Sequence, residues 1–212
     1  MDITIIGHGN VGGTLARVWA NAGHPITIGA RSPSDGGAQH LARDDRIKVT
    51  SIPESIPDAE VILLAVPAGT GVSVADQIDT AGPREDVVFL DATNAVGGRP
   101  DPYATVADAL LDRIPGSRVV KAFNTTGAEN MADPVFGDTA LDLFVAGDGA
   151  EAKEVAASLA ADAGFARCYD VGDRRFFESL EHLARIWISL ALSKGHGRDI
   201  GFKVLRREES AG

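Results

Sequence analysis

The most constraining feature of this chain is Gly7-His8-Gly9-Asn10-Val11-Gly12, placed directly after the apolar β run Ile3-Thr4-Ile5-Ile6. Such a glycine pattern says little alone. Here it opens a helical pattern over residues 10–22, and a second β run follows at 26–28, completing the βαβ setting the motif needs. Val11, Leu15, Val18 and Trp19 share one face of that helix, and Gly23 closes it. Each glycine has a separate task. Gly7 permits a tight turn, Gly9 lets backbone approach a pyrophosphate, and Gly12 lets the helix pack closely on the strand. The first helical amides and the positive end of the helix dipole then face the anion. The same glycines would also serve a turn that holds a mononucleotide, or nothing.

The alternation continues along the chain. Nearly continuous apolar runs at 47–49, 61–66, 87–90, 119–121 and 141–145 read as strands buried on both faces. Helical spacing marks 71–80, 102–114 and 150–163. Strands and helices in alternation predict an α/β fold: a Rossmann-type, doubly wound, mostly parallel sheet with helices on both faces. The stretch 32–37 (Ser-Pro-Ser-Asp-Gly-Gly) reads as a loop. The texture changes after residue 170. Residues 174–193 form one long helical stretch, with Phe177, Leu180, Leu183, Ala184, Ile186, Trp187, Leu190 and Leu192 covering more than one face. Such a helix packs on two partners, here the sheet body and a second subunit. The expected organisation is a nucleotide-binding domain over 1–170 and a C-terminal helical segment over 171–212 that closes the cleft and contributes to a homodimer. A short last element is expected at 200–205, and a polar, frayed end over 206–212.

Charge and composition narrow the partners. The 212 residues carry 30 acidic and 20 basic side chains, a formal net charge of −10. That field repels phosphate polymers and anionic lipid, so neither nucleic acid nor a membrane surface is an expected partner. No apolar run approaches the roughly 20 residues of a membrane span. The single cysteine, Cys168, makes no intrachain disulfide and reads as a small apolar residue at a strand position. The expected protein is cytoplasmic, and its partners are small molecules.

The end of the second strand decides between dinucleotides. An NAD site places a carboxylate there for the ribose 2′-OH. This chain has Ile28-Gly29-Ala30-Arg31-Ser32, with no carboxylate before Asp35. The forked cation of Arg31 and the hydroxyl of Ser32 suit a 2′-phosphate, so the expected cofactor is NADP(H). Alternatively, Arg31 stacks on adenine without selecting, or sits in solvent. Later strand ends should line the same cleft: Ala65-Val66-Pro67, Asp91-Ala92-Thr93-Asn94, and Lys121-Ala122-Phe123-Asn124-Thr125-Thr126. Taken singly, each is also ordinary loop polarity.

Together these segments resemble the NADPH-dependent reductases of the deazaflavin coenzyme F420. The glycine loop, Gly29-Ala30-Arg31-Ser32, Ala65-Val66-Pro67, Asp91 to Asn94, Val120 to Thr125, Val145-Ala146-Gly147-Asp148 and Phe202-Lys203-Val204-Leu205 occur in that family's order. The resemblance spans nearly the whole chain and is most specific over the nucleotide-binding part. Val120 to Thr125 is also similar to the cytoplasmic oxidoreductase domain of the six-transmembrane metalloreductases, which binds NADPH on this fold. The resemblance implies direct hydride transfer between a nicotinamide and a stacked deazaflavin, with coenzyme F420 as second substrate. It puts Val66, Pro67, Asn94 and Ala122 near the nicotinamide, and Phe123, Asn124 and Thr125 toward the deazaflavin. Gly7, His8, Gly9, Asn10, Val11, Gly12, Arg31, Ser32 and Ala65 complete the expected cofactor-binding set. Archaeal members carry a histidine where Asn124 stands, and the amide keeps hydrogen bonding available.

Ring-to-ring hydride transfer asks for position and electrostatics, not a proton-transferring side chain, so no catalytic residue is assigned. A carbonyl reductase would want a Tyr, His, Lys or Asp as proton donor. Lys121 is one such group if it points into the cleft, and a peripheral charge if it does not. His8 is expected to act through its backbone amide. His182 reads as a packed histidine on the last helix, and His24, His40 and His196 show no metal-ligand spacing. No Gly-x-Ser-x-Gly elbow is present.

Overall fold

A computed structural model describes residues 1–207. The first half builds β1 (Ile3–Ile6), α1 (Asn10–Asn21), β2 (Ile26–Ala30), α2 (Gly36–Leu41), β3 (Ile47–Ser51), β4 (Val61–Leu64), α3 (Gly71–Ala81) and β5 (Val88–Asp91). The second half builds α4 (Val106–Arg113), β6 (Arg118–Lys121), α5 (Ala128–Ala132), β7 (Val135–Phe136), β8 (Thr139–Ala140), β9 (Asp142–Gly147), α6 (Ala150–Asp162), β10 (Arg167–Asp170) and α7 (Phe177–Ile188). Eight strands form one sheet in the order β10-β9-β6-β5-β4-β1-β2-β3. All neighbours pair in parallel except β6 with β9. The expected doubly wound, mostly parallel sheet is therefore the fold. The order reverses between β1 and β4, and ligands of open α/β sheets bind beyond the strand carboxyl ends at that switch.

Strand alternation splits the core into two layers. Ile3, Ile5, Val61, Leu63, Val88 and Leu90 face α1 and α6, while Ile6, Ile62, Leu64 and Phe89 face α3 and α4. Each large side chain buried in this way contributes about 1.5–3 kcal/mol. Trp19 locks α1 to α6 by donating its indole N–H to the Leu159 carbonyl at 3.0 Å. Phe177 and Leu180 of α7 join the α3/α4 layer, so the last helix shares the sheet's core.

Several elements depart from expectation. The stretch 32–37 runs into α2, because the Asp35 carboxylate accepts the Gly37 N–H at 3.1 Å and caps a helix start. β4 stops at Leu64, and a single 3-10 turn (Ala68–Thr70) follows Pro67. α4 begins at Val106 and not near 102, fixed by a reciprocal capping box between Thr105 and Asp108. The span 174–193 is continuously helical but changes type, from a 3-10 turn (Arg174–Phe176) through α7 to a π-helical turn (Ser189–Ser193). Residues 200–205 form no regular element; the Asp142 N–H donates to the Phe202 carbonyl, and the Asp142 carboxylate accepts the Val204 N–H. His182 is exposed, not packed. Cys168 lies half-buried in β10, and burial pushes its thiol up to about 11. Of the tail expected to fray, residues 208–212 lie outside the described residues.

Candidate dinucleotide site

Three glycines shape the loop after β1, each for a separate steric reason. Gly7 has φ +105°, and a Cβ there would meet the Ala65 carbonyl oxygen at 2.5 Å. A Cβ on Gly12 would sit 2.0 Å from the Gly7 oxygen and 3.2 Å from the Ile5 side chain. Gly9 differs: nothing lies within 4 Å of a Cβ placed there. Neither sterics nor a positive φ requires that glycine, and the space beside it suits a group bound at the start of α1. Gly9 is the N-cap, no side chain caps the helix, and no acidic residue occupies its first turn. The first amides are thus left open to an anion. At the end of β2, Arg31 and Ser32 are exposed, and Arg31 has no ion pair among the described residues. No carboxylate stands between it and Asp35, whose oxygen lies 3.7 Å from the His8 ring.

Two cavities meet at the loop. One, of about 530 Å³, is lined by His8, Gly9, Asn10, Thr14, Arg17 and His40, among others. The second, of about 310 Å³, is lined by Asn10, Val11, Asn94, Asn124, Trp187 and Ile188, among others, and shares Asn10 and Ala128 with the first. Of the expected residues, His8, Gly9, Asn10, Val11, Asn94 and Asn124 therefore come together around two adjoining cavities. Ala65, Val66, Pro67, Arg31 and Ser32 stand at the appropriate strand ends but line neither cavity. Ala122, Phe123 and Thr125 are buried and line neither cavity. The Phe123 ring packs edge-on against Trp19 at 5.4 Å and against Phe165 at 6.3 Å. That corrects its expected direction: the ring belongs to the core and leaves only backbone for the cleft. Phe123 has φ +61°, the one positive φ outside glycine among the described residues. This left-handed residue turns the chain as it leaves β6, with its own ring inward and the next residue, Asn124, at the cavity.

A buried ionic cluster holds the residues on either side of Asn94, which lines the second cavity. Lys121 is 0% exposed. Its ammonium donates to Asp91 Oδ2 at 2.9 Å and to the Thr93 carbonyl at 3.0 Å. Glu181 of α7 faces the same ammonium at 3.1 Å, an ion pair without hydrogen-bond alignment. Its other oxygen accepts the Ala95 N–H at 2.9 Å. Asp91 also accepts the N–H groups of Thr93 and Ala107. Lys121 is thus neither a cleft acid nor a peripheral charge. It joins β5, β6 and α7 and holds the 92–95 loop from beneath. Lys121 lies within an apolar run and Glu181 sits 60 residues later on another element, so sequence spacing carried no sign of the pairing.

The sheet order, the glycine loop and the crevice at the switch define the class: a Rossmann-type dinucleotide-binding fold. Within it, residues 2–95 match the family described as NADP oxidoreductase, coenzyme F420-dependent, which bears out the resemblance read from the motifs. That family consists of NADP-dependent oxidoreductases. Among solved structures, a candidate F420-dependent NADP reductase from an Arthrobacter strain is 27% identical, with a TM-score of 0.82 over 97% of this chain and 100% of the other. A hypothetical protein from Sinorhizobium meliloti is 24% identical, with a TM-score of 0.71 over 98% and 96%. A pyrroline-5-carboxylate reductase from Coxiella burnetii shares the fold at 16% identity, with a TM-score of 0.64 over 91% and 68%. No curated protein matches the chain. No helix among the described residues is long and apolar enough to cross a membrane.

Proposed function

We propose that this protein is a cytoplasmic oxidoreductase that transfers hydride between NADPH and a deazaflavin, coenzyme F420, bound one against the other in the crevice above β1, β4, β5 and β6. The observation that carries the reading is adjacency: the two cavities share Asn10 and Ala128. The uncapped start of α1, open at Gly9, adjoins through Asn10 and Val11 a cavity also lined by Asn94, Asn124, Trp187, Ile188 and Arg198. When bound, the reduced nicotinamide supplies a hydride that the deazaflavin ring accepts.

The chain's own residues then have separable tasks. The first amides of α1 hold the diphosphate, and Arg31 with Ser32 takes the 2′-phosphate. Ala65, Val66 and Pro67 border the path of the ribose. Asn94 and Asn124 orient the amide edge of a ring. Val11, Trp187 and Ile188 exclude water from the ring faces. Holding reacting carbons about 3–3.5 Å apart is the main contribution asked of such a site. Lys121 does not serve as a proton donor in this scheme, because its ammonium is committed to Asp91, Thr93 and Glu181. The expected assembly is a homodimer that uses the outer side of the last helix, where Ile186 and Leu192 are exposed. Mass in solution tests it, and a monomer at micromolar concentration would refute it.

The functional test mixes purified protein with NADPH and oxidised coenzyme F420, with NADH alongside, and follows loss of the deazaflavin's visible absorbance. Rapid bleaching with NADPH and little with NADH is the expected result. If NADPH binds but nothing bleaches, the acceptor must be sought among flavins, metal chelates and small carbonyls.

A further inference from the structure

The first cavity, of about 530 Å³, reaches beyond the start of α1, where the reading above sets the diphosphate. In that reading the dinucleotide leaves Gly9 toward Arg31 and Ser32, which line neither cavity. The cavity instead follows one face of α1. Asn10, Thr14 and Arg17 line it, and their spacing of four and three residues sets them on the same side of the helix. His40 of α2 and Ala128, Glu129 and Ala132 of α5 contribute the facing walls.

Charge on these walls is uneven. Arg17 is exposed and has no ion pair among the described residues. Its guanidinium donates to the Gly13 carbonyl at 3.4 Å, near the limit of a hydrogen bond, so a ligand displaces that contact at little cost. The contact also shows the side chain leaning back along the helix toward its N-terminus, over residues that line the cavity. Glu129 is the one carboxylate lining the cavity among the described residues, and Arg198 covers it at 2.7 and 3.0 Å. His8 and His40 add imidazoles, the first 3.7 Å from the Asp35 carboxylate. Asn10 and Thr14 add an amide and a hydroxyl. In a chain of net charge −10, a free guanidinium beside a neutralised carboxylate reverses the local field.

The position of this charge suggests what it meets. The two cavities share Asn10 and Ala128, and the reading above gives the second cavity to the ring of the second substrate. A chain that leaves the ring over Asn10 enters the first cavity, and Arg17 lies about 10 Å further along α1. Resting on the deazaflavin reading, we propose that the first cavity binds the anionic side chain of that substrate, a phosphodiester followed by carboxylates, and that Arg17 selects for it. The guanidinium fork matches either anion, with Thr14 and His40 beside it as further donors. The acidic surface elsewhere repels such a chain, which makes a local cation the means of admitting it.

The test measures affinities by calorimetry on protein saturated with NADP⁺, so that the dinucleotide's own phosphates already fill their places. Coenzyme F420 is compared with its ribityl core, the same ring ending in a hydroxyl and carrying no phosphate. The wild type should bind F420 about tenfold more tightly or better. Arg17→Ala, at an exposed helix position, should bring the two affinities together, and Arg17→Lys should keep part of the preference. Equal affinities in the wild type, or a preference that survives Arg17→Ala undiminished, overturn the proposal. So does a fall in NADP⁺ affinity of Arg17→Ala as large as its fall in F420 affinity, which would assign the cavity to the dinucleotide. Failure of the deazaflavin reading looks different, because neither F420 nor its core would then bind. The comparison passes in that case to FMN and riboflavin. A preference for FMN that Arg17→Ala removes supports the same site for another ring, and equal affinities or no binding overturn it.

Discussion

The two ends of the crevice are built by opposite means. At the phosphate end the working parts are backbone: three glycines within six residues, and the uncapped amides of α1. At the ring end the working parts are side chains from distant segments. Asn94 and Asn124 meet across 30 residues, and Glu181 reaches back 86 residues to the Ala95 amide. A site made of backbone needs particular residues only where a Cβ would intrude, so it leaves a compact pattern in the chain. A site made of side-chain pairs needs the tertiary fold before it exists at all. The two ends should therefore fail differently when disturbed.

The largest effect is expected at the ring end. Lys121→Met removes the cation between two buried carboxylates and leaves both uncompensated. Breaking a buried ion pair in this way costs about 3–5 kcal/mol. Denaturant unfolding should show most of a marginal domain's stability gone. A loss below about 1 kcal/mol would mean that the cluster is far wetter than its burial indicates.

Next come the glycines, whose contrast is sharper than either effect alone. Gly12→Ala drives a Cβ to 2.0 Å from a backbone oxygen, which no side-chain rotation relieves. The strain should cost about 1–3 kcal/mol and lower the melting temperature. Gly9→Ala meets nothing within 4 Å, and its φ of −71° suits any residue, so stability should hold. Its new methyl would instead occupy the space proposed for the diphosphate, and NADPH affinity should drop about tenfold or more. If both variants lose stability equally, the separation of roles in the loop is wrong.

This contrast also explains how far the chain could be read in advance. The alternation of strands and helices and the glycine loop follow from local periodicity and from steric rules that operate within a few residues. The limits appear where distant partners decide. Lys121 sits in an apolar run with nothing nearby to mark its partners, and only the fold brings Asp91 and Glu181 to it. For Phe123 the resemblance implies a place toward the deazaflavin, with its ring in the cleft. Its left-handed backbone turns that ring into the core between Trp19 and Phe165. α2 was hidden because Asp35 and the two glycines after it resemble a turn, until the carboxylate is seen capping the helix.

A smaller and more specific effect is expected at Arg31, the exposed cation at the end of β2. Arg31→Asp replaces an attraction for the 2′-phosphate with a repulsion. NADPH affinity should fall by about ten- to a hundredfold, while NADH changes little, since a charge-assisted hydrogen bond contributes about 1.5–3 kcal/mol. Fluorescence titration with each dinucleotide reads the ratio. Equal losses for both would place Arg31 on the adenine ring or in solvent.

The smallest effect belongs to the tie across the mouth of the second cavity. Arg198 forks onto Glu129 at 2.7 and 3.0 Å, joining α5 to the segment that follows the last helix. Hydrogen bonding from the guanidinium holds the Glu129 carboxyl below its ordinary value of 4.5. A carboxyl depressed in the folded state stabilises it above the unfolded pKa, and that contribution is lost as pH falls through the folded pKa. Both partners are more than a third exposed, so water screens the pair and the contribution is about a few tenths of a kcal/mol. Melting temperatures of the wild type and Glu129→Gln should differ slightly at pH 7 and converge as pH falls below about 4.5. A gap that persists unchanged into acid would mean that the two side chains matter through packing over Trp187, not through their charges.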